Sequence, residues 1–288
     1  MNKNKRSLLI NLALAAAFFT VVAAIILSRP APDLKVGLAG LPSDDAVLPV
    51  VWGDLGGRMV QSGVIDQGKF EALYASRGGL NPEEKNLLLG RDDNRLKITS
   101  RNAGYLLNLF WALGLGQKNP IILSGEMMDP RYGGGGPPAG GFASTGGWSL
   151  AAGSAMEHYG KHEFFTLTSA QQTLVEKISR GIYRPCCDNS THFPDCNHGM
   201  AMLGLLELMA SQGASEEEMW KAALSVNAHW FPDNYALIAD YFKKNGVAWK
   251  NVDPRKALSA AYSSGSGYAR LVAEMAPLKR GQGNSCSI

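Results

Sequence analysis

From Leu8 to Leu27 the chain is uncharged, and only Asn11 and Thr20 break the apolar run. At about 1.5 Å of helical rise per residue this stretch covers roughly 30 Å, the thickness of a bilayer's hydrocarbon core. Lys3, Lys5 and Arg6 precede it. The pattern predicts an uncleaved N-terminal transmembrane anchor over residues 1–28. Its basic flank stays cytoplasmic and the bulk of the chain lies outside, in a periplasmic or extracellular space. A cleaved signal peptide is the rival reading. Its apolar region is normally shorter, and proline in Ser28-Arg29-Pro30-Ala31-Pro32 spoils the obvious small-x-small site.

Residues 29–45 are rich in Pro, Gly and Ser and read as a tether. Beyond them, residues 46–288 carry mostly helical signals. Asn81-Pro82-Glu83-Glu84 offers an N-cap, a proline at the first helical position and a carboxylate to close a capping box. Thr168 with Gln171, and Ser215 with Glu218, repeat that logic, and Asp253-Pro254 opens another helix. Gly213 and Gly246 stand where helices commonly stop. In 105–116, YLLNLFWALGLG, apolar residues surround the whole helix, so it should be buried on every side. Strand signals are few, with Ile121-Ile122-Leu123 the main candidate. The fold class expected is mainly α: an N-terminal transmembrane helix, then a globular domain of about eight to ten helices.

The glycine-rich segment 133–147 interrupts this pattern, and its backbone costs much entropy to order. It reads as a loop joining two helical halves, or else as a loop whose bare amides approach a ligand. Trp148 follows Gly147 where a phosphate-binding loop needs Lys and Ser or Thr, so no nucleotide cofactor is indicated.

Charge changes the picture little. Of the net +3, three positive charges are Lys3, Lys5 and Arg6, which leaves the rest of the chain neutral. No basic stripe exists to hold a nucleic acid. The membrane, through residues 8–27, is the partner expected. With 4 cysteines in 288 residues the domain must rest on an apolar core, not on a disulfide framework.

The candidate chemistry lies in 184–203, RPCCDNSTHFPDCNHGMAML, which holds three of the four cysteines and two of the 5 histidines. Pro185 and Pro194 bracket the segment, and Asp195 or Asn197 is positioned to cap the apolar helix that follows. Cys196 then sits at, or one step before, a helix N-terminus, where free amides and the helix dipole favour a thiolate. His198 falls in the same first turn. Cys186, Cys187, Cys196 and His198 make a Cys/His set suited to copper or zinc, with His192 as a second-rank ligand or general base. The spacing matches no zinc-finger pattern. Met200 and Met202 could add thioether ligands, but beside Leu203, Leu205 and Leu206 they read as core. His158 and His162, four apart, form a weaker chelating pair. His229, beside Trp230 and Phe231, reads as a packed histidine. Glu207 is the one charge on its apolar helix and is expected at an edge reaching water.

Three functions follow from these residues. The first is a membrane-anchored extracytoplasmic protein that binds a soft metal ion through the Cys/His cluster. The second is a thiol enzyme or thiol-disulfide redox protein: Cys196 attacks, His198 or His192 moves the proton, and Cys186 or Cys187 resolves. The third is a helical binding or assembly subunit whose cysteines form a disulfide, the default for such a pair in an oxidising compartment. No G-x-S-x-G or H-E-x-x-H motif is present. Glu126 and Asp129 are the carboxylates that a glycosidase would need.

Overall fold

The computed structural model describes residues 45–132 and 138–276. The anchor expected at 8–27, residues 133–137 of the glycine-rich segment and Cys286 lie outside the described residues. Among the described residues no helix is long and apolar enough to cross a membrane. All of them fall within one compact unit, Leu38–Ile288.

The mainly helical expectation is met, with one addition. Strand β1 (Asp45–Gly53) pairs antiparallel with β2 (Asp92–Thr99), with Val47 opposite Lys97 and Asp45 opposite Thr99. Leu48, Val50 and Trp52 of β1 and Leu96 and Ile98 of β2 face the core. In β2 the exposed Arg95 and Lys97 alternate with them, which is the period of a half-buried strand. Gln212 ties β1 to the helical body: Val51 N–H donates to Gln212 Oε1 (2.8 Å) and Gln212 Nε2 donates to Val51 O (2.7 Å).

Nine helices of eight residues or more follow in the described chain: α1 (Leu55–Ser62), α2 (Gln67–Ala75), α3 (Pro82–Leu89), α4 (Ala103–Gly116), α5 (Ser169–Ser179), α6 (Asn197–Ser211), α7 (Glu216–Trp230), α8 (Pro232–Lys244) and α9 (Gly265–Met275). The capping boxes read from sequence are present at Asn81/Glu84, Thr168/Gln171 and Ser215/Glu218. Each satisfies two amides that the first turn leaves without partners. The residues 121–123 are not a strand. Asn119 caps the short helix Pro120–Ser124 by accepting from Ile121 N–H, and Pro120 sits at its first position, so local capping overrides the β-branched pair.

α4 and α6 form the centre of the molecule. They meet where both lack a side chain. A Cβ on Gly204 would lie 2.5 Å from Phe110 O and 2.6 Å from Gly114 N, and one on Gly114 would collide with Met200 O. Leu106, Leu109, Phe110 and Leu113 on α4, and Leu203, Leu205 and Leu206 on α6, are fully buried around this contact. Each such side chain contributes about 1.5–3 kcal/mol of burial. Met200 and Met202 belong to the same core and are fully enclosed.

Glu207 departs from the edge position expected of it. It is fully buried on α6, its carboxylate oxygens make no well-formed hydrogen bond, and Asn119 is the polar side chain that acts on it. Burial raises its pKa well above the usual carboxylate value, against a lowering contribution from Asn119.

Candidate metal centre

The segment from Arg180 to Cys196 leaves the end of α5, loops out and returns as the start of α6. Two backbone bonds hold its limbs together: Thr191 N–H to Ile182 O (2.8 Å) and His192 N–H to Ser179 O (3.1 Å). Two more come from α9, whose Gly265 N–H donates to Cys187 O (2.8 Å) and whose Ser266 N–H donates to Asp188 Oδ1 (2.7 Å). On another side Ser144 N–H donates to Asp195 O (3.0 Å), and Phe142 meets Phe193 edge to face at 5.3 Å. The described part of the glycine-rich segment therefore packs directly on the cysteine loop.

Cys196 is itself the N-cap of α6. Its Sγ accepts Gly199 N–H at 3.4 Å, the bond that a serine or aspartate oxygen makes at other helix starts. Neither Asp195 nor Asn197 takes that role. Cys186 Sγ and Cys187 Sγ each lie 3.7 Å from Cys196 Sγ, and all three sulfurs fall within 4.8 Å of one another. They are three free thiols; the disulfide expected from sequence is not formed. The cluster is close enough for one metal ion to reach every sulfur. Adjacent cysteines manage this because the chain turns at 186–187, with Cys187 N–H bonded to Arg184 O (3.2 Å), and does not run extended there.

Beneath the sulfurs lies Arg184, fully buried. Its Nη2 donates to Cys187 Sγ (3.1 Å) and to Asp195 Oδ1 (3.4 Å), and its Nη1 donates to Thr191 Oγ1 (3.4 Å). Asn189 Nδ2 holds the other oxygen of Asp195 at 2.9 Å. A guanidinium cannot shed its proton, so at full burial it requires anions beside it. Asp195 is one, and the cysteine sulfurs beside Nη2 are placed to supply a second.

Of the three sulfurs Cys196 is the one most favoured as a thiolate. Hydrogen bonds from the Cys186 and Cys187 thiols pull its pKa far below the ordinary thiol value, and the Arg184 charge and Gly199 N–H add to this against burial. Cys186 moves the opposite way, raised by its hydrogen bonds to Cys187 and Cys196 and then by desolvation. At Cys187 bonding from Cys186 lowers the value, but bonding to Cys196 and burial outweigh it and leave it raised. The three sulfurs thus share negative charge centred on the helix cap.

The histidines are arranged differently from the sequence expectation. His198 does not join the sulfurs: among the described residues no histidine falls within the 4.8 Å group. Its ring packs on Phe231 (4.5 Å) and Trp230 (5.6 Å), and burial lowers its pKa to about 4. Two positions past the cap, its side chain leaves the helix on another face from Cys196. His192 is bonded through Nδ1 to Glu126 Oε2 at 3.1 Å. His158 and His162 are not on one helical face, because the helix Ala155–His158 ends between them and Gly160 turns the chain at φ +60°. Their rings stack with His158 Nδ1 3.0 Å from His162 Nε2, while His158 Nε2 donates to Ala152 O at 2.7 Å. The facing nitrogens share one hydrogen bond, and neither histidine lies in the sulfur group. His229 is half-buried, its Nδ1 2.8 Å from Ser225 O. Asp129 is bound by Arg131 and has no part in the site.

Arg184 and Gly199 belong to the candidate site and do not stand out in the sequence. The available signal was that Arg184 is the one basic residue between Arg180 and Lys221, and it stands two positions from a cysteine pair. Gly199 is needed because a Cβ there would lie 2.7 Å from Arg184 Nη2. No family model, no curated protein and no solved structure matches the chain.

Proposed function

We propose that the protein binds a soft metal ion through the thiolates of Cys186, Cys187 and Cys196, in a domain tethered to the outer face of a membrane by residues 8–27. The observation that carries the reading is the convergence of three free sulfurs over a buried guanidinium. Sulfurs bound at about 2.3 Å to one ion stand roughly 3.8–4.0 Å apart in tetrahedral or trigonal geometry. The observed 3.7 Å separations need little adjustment. Arg184 supplies an N–H to one ligand sulfur and a positive charge that favours deprotonation, the outer-shell support that metal ligands commonly receive. Copper(I) and zinc are the ions whose preferences match thiolate donors.

The test is metal content of the full chain purified reduced and without chelator, compared with the variant carrying Cys186→Ser, Cys187→Ser and Cys196→Ser. Stoichiometric metal in the native protein and none in the variant supports the reading. Equal metal in both removes it. Membrane fractionation with protease accessibility tests the placement, and a chain released by a salt wash counts against the anchor.

A second reading has one specific observation behind it. Cys196 is an acidic thiol at a helix cap with two further thiols at 3.7 Å, an arrangement suited to attack followed by resolution. Its test is the pH dependence of the fastest alkylated thiol. A Cys196 no more reactive than free cysteine ends that reading.

A further inference from the structure

We infer that the site holds its ion by three sulfurs alone and so takes copper(I) in preference to zinc, an inference that rests on the metal-binding reading above. Zinc closes its shell with four ligands, or with three and a water. Among the described residues no fourth histidine, cysteine, aspartate or glutamate joins the sulfur group.

The described neighbours that could have done so are bonded or placed elsewhere. Asp195 is held by Arg184 and Asn189. His192 is bonded to Glu126 through Nδ1 and lies outside the sulfur group. The His198 ring packs on Phe231 and Trp230, and although its buried Nδ1 has no hydrogen-bond partner it lies outside the sulfur group. Met200 and Met202 are sealed in the core behind the helix cap. On the interior side the fully buried guanidinium lies against the sulfurs, and it is a donor with no lone pair to offer. Among the described residues ligation therefore comes from the three sulfurs, and the open side is that of Cys186, the exposed member of the three. Copper(I) is satisfied by two or three thiolates, whereas zinc here would depend on water for its fourth position. Binding displaces the thiol protons to solvent and changes no oxidation state.

The experiment is an anaerobic titration of the reduced full chain with Cu(I), supplied as its acetonitrile complex, and separately with Zn(II). Thiolate-to-metal absorption gives stoichiometry, and X-ray absorption at the copper edge gives the ligand atoms. The expected result is one Cu(I) per chain with three sulfur neighbours, not displaced by about a tenfold excess of Zn(II). His198→Phe should leave Cu(I) affinity unchanged, and Arg184→Lys should weaken it by about 10- to 100-fold. Zinc binding as tightly as Cu(I), a nitrogen neighbour on copper, or loss of binding in His198→Phe overturns this inference while the metal-binding reading stands. Failure of both ions to bind the reduced protein overturns both.

Discussion

Arg184 Nη2 reaches Cys187 Sγ at 3.1 Å from a position that solvent does not touch. A permanent cation has thereby been placed under a thiol cluster, and the loop around it is organised to make that tolerable. Asp195, Thr191 and the sulfurs all turn polar atoms toward it. Replacement by glutamine removes the charge but leaves Asp195 and the thiolate facing each other. Arg184→Gln should destabilise the fold by about 3 kcal/mol, the usual scale for breaking a buried pair from one side. It should also raise the Cys196 thiol pKa, read as a shift of the alkylation profile to higher pH. A profile that does not move would show that Arg184 has no electrostatic role at the sulfurs.

Gly199 lies in the first turn of α6, where alanine would ordinarily help a helix by about 1 kcal/mol. Here the added Cβ would sit 2.7 Å from Arg184 Nη2 and 3.1 Å from Pro194 Cα. Gly199→Ala should therefore lower stability by about 1–3 kcal/mol, the cost of overpacking. Chemical denaturation measures this, and a more stable variant would mean that the loop yields freely.

Cys196 stands 3.7 Å from both Cys186 and Cys187, so geometry does not choose between them. Oxidation of the metal-free protein by oxidised glutathione should give two disulfide isomers, Cys186–Cys196 and Cys187–Cys196, each leaving one thiol of the cluster free. Peptide mapping distinguishes them. A dominant Cys186–Cys187 product would contradict the central position of Cys196.

Glu207 predicts an unusual pH dependence. Its folded pKa is raised, while the unfolded carboxyl titrates near about 4.3. Below that value both states hold the proton. Above it the unfolded chain releases a proton that the native protein keeps, so stability falls as pH rises, by up to about 1.4 kcal/mol per unit, until the native group ionises. Glu207→Gln should abolish this slope and melt higher than the parent near about pH 8. Urea titrations at several pH values test it, and an unchanged slope would assign the dependence to another group.

Helix starts were legible because capping is chemistry among neighbours: Asn81 and Glu84, or Ser215 and Glu218, carry their partners three residues away. The cysteine loop was legible in part, since Cys196 at a helix start follows from Pro194 and the apolar run behind it. The histidines were not. Proximity in sequence put His198 beside Cys196, but two positions along a helix turn side chains well apart, and Phe231 lies 33 residues downstream of it. β1 was hidden because Leu48, Val50 and Trp52 are interleaved with Val47, Pro49 and Val51, leaving no polar phase to read. β2 did carry the alternation, in Arg95-Leu96-Lys97-Ile98. Glu207 was misplaced because its environment is made by distant elements, which spacing along one helix does not reveal.

The bare contact of Gly114 with Gly204 bears on how an ion would be received. Two backbones that touch cannot slide or roll past each other without colliding, so the helix that begins at Cys196 is seated firmly. Its cap sulfur is fixed while the chain folds, and the conformational cost of assembling the chelate falls on folding, not on ligation. The protein resembles a socket cut before its guest arrives, in contrast to small domains that condense around their metal.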